Sequence, residues 1–323
     1  MTLHKEDKMK KFAFIFPGQG SQSAGMGLDL YNNFDSSKDI YDRADRILNK
    51  EISKICFMGP DEVLKQTINA QSAIVTTSIA AYAAFKSVCP DIIPSCTLGH
   101  SLGEYCAMHV AGVMDLDTTL KAIQKRSELM DIATKNTTGT MAAIIGSSVE
   151  IIKDAISDAS SLGLVQIANY NDPTQIVITG EIDAVTKASE IIKEKGARKV
   201  VPLAVSGGFH SKLMDSATVS FKEFVKDLTL NDAKIQVITN VDASLTLRAE
   251  DFRLKMPNQI NSSVMWNQSI SKALESGIDT FIEFGNGRIL AGLNRKICPE
   301  IKTYNVSDSA SIEAIKQELM IGV

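Results

Sequence analysis

The stretch "CTLGHSLGEY", Cys96 to Tyr105, limits the fold more tightly than any other. An apolar run stops there and a helical pattern begins, with one hydroxyl, Ser101, set between Gly99 and Gly103. One backbone solution is a nucleophile elbow, a tight strand-to-helix turn in which the glycines keep Cβ atoms out of the way. The other is an ordinary β-turn, and the G-x-S-x-G pattern alone does not separate the two. The flanks fit the elbow. "CTLGH" reads as a strand, and in "LGEYCAMHVAGV" the residues Leu102, Tyr105, Cys106, Val110 and Val113 recur at helical spacing.

The rest of the chain supplies a body for this turn. "KFAFIF" (11–16) reads as a buried strand that ends in Pro17 and Gly18, and the loop "PGQGSQSAGMG" follows it. Gln71 to Phe85 suits a packed helix. Between about 140 and 205 the pattern becomes β-α-β-β-α-β. "MAAIIG" is a strand, and "SSVEIIKDAISDA" is a helix with a capping box at Ser147 and Glu150. "LVQIAN" and "QIVITG" are strands around "YNDPT", "EIDAVTKASEIIKEKG" is a helix stopped by Gly196, and "RKVVPLAV" is a strand. That order is the ferredoxin-like signature. "KIQVITN" and "TFIEFG" then return as strands. The expected fold is α/β, with an α/β-hydrolase-like large domain carrying the elbow and an inserted ferredoxin-like small subdomain. The large domain takes residues 9–138 and 206–323, the small one takes 139–205, and residues 1–8 form a disordered tail. The cleft between the two domains is the default site.

Composition removes whole classes of function. With 323 residues and a net charge of −4, the chain has no basic field for nucleic acid. Five cysteines, an odd number without a C-x-x-C pair, argue against a disulfide framework and a zinc site and fit a reducing cytoplasm. The opening "MTLHKEDKMKK" lacks the apolar region of a signal peptide, and no apolar stretch is long enough for a membrane span, so no membrane partner is expected.

A serine nucleophile needs a base. His4 lies in the tail, and His100 adjoins Ser101 on a strand, where successive side chains point to opposite faces. His109 sits about two turns along the following helix, out of reach of its start. His210 remains, after a strand and a flexible "SGG", although a surface histidine in a glycine-rich loop would look the same. The Leu102 amide, at a helix N-terminus, is a ready oxyanion donor. The loop "GQGSQ" is the natural source of a second. No acid stands in an obvious place to orient the histidine.

Five motifs, "FPGQGSQ", "GHSLGEY", "GTMAAIIG", "VSGGFHS" and "FIEFGNGRILAGL", agree in order and spacing with the malonyl-CoA:acyl carrier protein transacylase family of bacterial fatty-acid synthesis. The chain resembles that family from about Lys11 to about Ile297. The resemblance implies that Ser101 is acylated, that His210 is its base, and that the Gln19 and Leu102 amides form the oxyanion hole. It further implies that the Gln259 carbonyl orients His210 and that Arg126 binds the substrate's free carboxylate. Read from the residues alone, Arg126 is a solvated helix charge. Phe209 matches the version of the family associated with malonyl rather than methylmalonyl units, because a ring beside the histidine would crowd an α-methyl group.

The expected reaction is ping-pong transfer of a malonyl group from malonyl-CoA to the phosphopantetheine thiol of an acyl carrier protein, with no cofactor or metal. A cytoplasmic monomer is expected. An acidic carrier would need a local basic patch, for which "KEKGARK" (193–199) is a candidate and also an ordinary solvated face. Two other readings stand beside this one: a serine hydrolase, which the missing acid and Arg126 disfavour, and a non-catalytic acyl-binding subunit. The chain departs from the family in "NSSVMW" (261–266), where Asn-Pro is common before Val-x-Trp, and in "GNG" (285–287), where Gly-Pro-Gly is common.

Overall fold

A computed structural model describes residues 10–320. The tail expected over residues 1–8, and His4 with it, lies outside the described residues. The strands, in chain order, are β1 (Phe12–Phe16), β2 (Pro94–Gly99), β3 (Gly139–Ile145), β4 (Val165–Asp172), β5 (Gln175–Glu181), β6 (Lys199–Pro202), β7 (Gln236–Ile238), β8 (Leu245–Thr246), β9 (Thr280–Phe284) and β10 (Lys302–Val306). They form two sheets. The larger runs β10-β9-β1-β2-β7-β8, parallel throughout except for the β7–β8 edge pair. The smaller runs β4-β5-β3-β6 and is antiparallel.

Side-chain alternation explains how the layers stack. Along β1, Phe14 and Phe16 join one core with the helices Asp35–Leu48, Thr67–Val88 and Leu116–Asn136. Ala13 and Ile15 join a second core, with the helices Trp266–Glu275 and Ile289–Ile297. The helix Thr67–Val88 is buried almost all round, which is why its sequence carries small residues rather than an amphipathic stripe. On β3, Ala142 and Ile144 pack under the helices Val149–Ala159 and Ile182–Glu194, while Met141 and Ala143 face the main core. The small sheet thus turns one face toward the large one, and the cleft lies between them.

Two local expectations change. The helix at 149 is capped by Ser148, whose Oγ accepts the Ile151 amide at 3.3 Å; Ser147 Oγ is buried without a partner among the described residues, so the capping box at Ser147 and Glu150 is not formed. The last strand of the insert stops at Pro202 rather than continuing to Val205. Beyond it the Val205 amide turns back onto the Leu203 carbonyl at 2.9 Å, and this bend takes residues 203–205 out of the sheet and into the cleft wall. Within "NSSVMW", Val264 exchanges backbone hydrogen bonds with Ala168 and Tyr170 of β4.

Candidate active site

β1 and β2 are parallel neighbours that end together, with Phe16 opposite Gly99. Their following loops therefore emerge side by side at the carboxyl edge of the sheet. The chain order changes direction here too, since β2 lies on one side of β1 and β9 on the other, and such switch points open crevices in α/β sheets.

Ser101 occupies the left-handed region, with φ of 51°. A Cβ on Gly99 would fall on the Gly103 backbone, and one on Gly103 would fall on the Phe16 carbonyl, so space alone demands both glycines. The helix Gly103–Val110 starts directly afterwards. Asn240, fully buried after β7, clamps the turn: its Oδ1 accepts the Ser101 amide at 2.7 Å and its Nδ2 donates to the Gly99 carbonyl at 2.7 Å. The Asn240 amide in turn donates to Glu104 Oε2 at 2.5 Å. Burial pushes the Glu104 carboxyl up to about 7, opposed by this hydrogen bond and the Arg126 charge.

Ser101 Oγ lies 2.8 Å from His210 Nε2. On the ring's far side, Nδ1 donates to the carbonyls of Gln259 (3.0 Å) and Ser262 (3.1 Å). Carbonyls only accept, so the proton sits on Nδ1 and Nε2 is free to accept from the serine hydroxyl. Among the described residues these two carbonyls, and no carboxylate, bond Nδ1, the ring atom that meets the acid in a hydrolase triad. Burial, with the Arg126 charge next, pushes His210 down to about 3, which keeps the ring neutral at physiological pH. His210 also has φ of 57°, and its carbonyl accepts from Gln166 Nε2 at 3.2 Å.

Arg126 is 1% exposed, far from the solvated helix charge that its sequence context suggests. Its Nη1 donates to Gln71 Oε1 at 2.6 Å, and its Nη2 donates to Gln259 Oε1 (3.0 Å) and Ser101 Oγ (3.2 Å). Gln259 also donates from Nε2 to the Ser101 carbonyl at 2.9 Å, so one residue ties together arginine, histidine and serine. Leu102 is buried, Gln19 is exposed, and among the described residues neither amide has an acceptor in the chain. Both line a cavity of about 420 Å³ with Ser101, Arg126, Phe209 and His210.

Of the rejected histidines, the two within the described residues behave differently from each other. His109 Nδ1 bonds the Met114 carbonyl at 3.1 Å, away from the cavity. His100 does line the cavity, but its Nε2 meets Asn171 Oδ1 at 2.9 Å and its ring tilts against Trp266. Sequence reasoning missed Asn240, Glu104, Gln71 and Gln166. Of these, only Glu104 sits beside a motif residue, within "GHSLGEY" itself.

With this arrangement in view, comparison with known proteins is decisive. The acyl transferase domain family matches residues 13–295. The malonyl CoA-acyl carrier protein transacylase of Bacillus subtilis is 43% identical over 96% of this chain and 98% of its own. The chain belongs to the malonyl CoA-acyl carrier protein transacylase family. A solved acyl carrier protein S-malonyltransferase from Vibrio cholerae superposes with a TM-score of 0.92 at 35% identity, covering 95% of this chain and all of that one. A malonyl-transacylase solved in complex with a type II polyketide acyl-carrier protein gives a TM-score of 0.93 at 32% identity, covering 96% of this chain and all of that one. Among the described residues, no helix of this transacylase-family chain is long and apolar enough to cross a membrane, and no cluster of His, Cys, Asp and Glu could hold a metal ion.

Proposed function

We propose that the protein transfers the malonyl group of malonyl-CoA to the phosphopantetheine thiol of an acyl carrier protein through a malonyl-Ser101 ester, supplying fatty-acid chain elongation. The observation that carries this reading is the buried Arg126 guanidinium within 3.2 Å of Ser101 Oγ: a carboxylate-binding cation beside a serine nucleophile. His210 Nε2 takes the Ser101 proton as the oxygen attacks the thioester carbonyl. The Gln19 and Leu102 amides, which have no acceptor among the described residues, receive the oxyanion. The C–S bond breaks, and the proton passes from His210 to the departing CoA sulfur. In the second half the carrier thiol gives its proton to His210 and attacks the ester, and Ser101 regains the proton as it leaves. The chain's own side chains and amides supply every group these steps use, so no cofactor is called for.

Gln259 and Ser262 orient the histidine through their carbonyls. Phe209, buried against the cavity, narrows the space beside His210 and favours an unbranched acyl group. The turn at Ser101 is a nucleophile elbow, a reading supported by its positive φ and its two crowded glycines. Residues 139–205 are a ferredoxin-like subdomain, as the order β4-β5-β3-β6 with antiparallel neighbours supports; the described parts of 9–138 and 206–323 are the α/β-hydrolase-like domain. The exposed run 193–199, at the edge strand β6, is the candidate face for an acidic carrier. The protein acts as a cytoplasmic monomer.

A serine hydrolase would share the first half of this chemistry, so the test is the fate of the acyl group. Pre-formed malonyl-enzyme mixed with holo carrier protein is expected to pass the label to the carrier much faster than to water. Release as free malonate at the same rate with and without carrier would make the protein a hydrolase.

A further inference from the structure

The loop Gly18–Ser23, which carries Gln19, is stitched mainly to itself. Ser21 Oγ donates to the Gly18 carbonyl at 2.9 Å, and the Gly20 amide donates to Gln22 Oε1 at 2.7 Å. Among the described residues, every hydrogen bond that reaches this loop from a distant part of the chain comes from one side chain, Asn286. Its Nδ2 donates to the Ser21 carbonyl at 2.6 Å and to Ser23 Oγ at 3.0 Å.

Asn286 stands on a firm base. The Gly285 amide bonds the Val306 carbonyl at 3.0 Å, and Asn305 Nδ2 reaches the Gly285 carbonyl at 3.3 Å. Just before it, the buried Glu283 carboxylate accepts the Leu290 and Ala291 amides, both at 3.0 Å, and so anchors the helix that follows the "GNGR" turn. The loop's other edge is fixed by contact, since a Cβ on Gly18 would run into the His100 carbonyl at 2.7 Å.

We propose that Asn286 is a positioning residue that holds the Gln19 amide at its distance from Ser101, an inference that rests on reading Gln19 as an oxyanion donor. An oxyanion donor acts only at the right place, and losing one outright costs about 10²–10³ in rate. Loosening its loop costs less, about tenfold. The loss falls on the developing oxyanion, so it is blind to the acyl group.

The experiment is single-turnover acylation of wild type, Asn286→Ala and Asn286→Asp by malonyl-CoA and by acetyl-CoA, followed by intact mass. Asn286 is only half-buried, and the Asp variant keeps its shape while removing the donor. Both variants are expected to slow acylation by about tenfold with both thioesters, with KM within about twofold of wild type and Asp at least as impaired as Ala. Wild-type rates in either variant, or a raised KM with an unchanged limiting rate, would overturn the proposal. A wild-type enzyme that formed no acyl-Ser101 would instead sink the functional reading on which it rests.

Discussion

The guanidinium of Arg126 is buried, and among the described residues no carboxylate is bonded to it. Its partners are the side-chain oxygens of Gln71, Gln259 and Ser101 and the ring of Tyr105, whose centroid lies 5.7 Å away, and its Nε has no partner among the described residues. Burial lowers its pKa, and the neighbouring Glu104 is itself pushed up to about 7. Glu104 acts on this cation only through space, its Oε2 being bonded to the Asn240 amide, and a malonyl carboxylate would supply a direct counter-ion. Arg126→Ala should therefore cut kcat/KM for malonyl-CoA by about 2–4 kcal/mol, roughly 30- to 700-fold. Acetyl-CoA, which has no carboxylate, should be used as well or better. Arg126→Lys should recover only part of the loss, because an ammonium cannot reproduce the planar fork. Equal losses on the two thioesters would assign Arg126 to the fold or to the general chemistry. The sequence made Ser101 and His210 legible because one sits in a motif and the other survives elimination among four histidines. Asn240 was illegible for a physical reason: it reaches Ser101 across 139 residues, and a buried amide clamp leaves no local pattern.

At the scale of elements, period and punctuation mark the segments between 140 and 205 and the first strands, whereas amphipathic helices such as Asp35–Leu48 and Trp266–Glu275 stand outside the sequence reading. The strands and helices of the insert follow from alternation and 3.6-residue spacing, and β1 and β2 from their apolar runs. Ends were harder, because caps and bends depend on single hydrogen bonds. The helix Val149–Ala159 begins one residue later than its capping-box pattern indicates, since "SSVE" offers two serines and the backbone uses the second. Ser148→Ala should lower stability by about 1 kcal/mol in a urea titration. Ser147→Ala removes a hydroxyl with no partner among the described residues and should leave the midpoint unchanged or raise it. The opposite ranking would return the cap to Ser147.

At the scale of the molecule, function depends on parts far apart in sequence meeting at one crevice. The parallel sheet brings the loops after β1 and β2 together, the insert closes the cleft, and the segment 259–264 returns to hold His210 and to pair with β4. The two bodies are also joined by Lys296, whose Nζ lies 3.0 Å from the buried Asp172 carboxylate. Pattern reading supplied the α/β class and the β-α-β-β-α-β order of elements between Gly139 and Pro202. It could not supply the strand order or the joints between bodies, which are set by long-range packing that no local window contains. The whole arrangement serves one claim, that Ser101 carries the malonyl group between two thiols. Intact-mass measurement after mixing the protein with malonyl-CoA tests it most directly. The account predicts rapid formation of a single malonyl adduct that maps to Ser101, is absent in Ser101→Ala, and is discharged by holo carrier protein. An adduct that persisted in folded Ser101→Ala, or none in the wild type, would contradict it.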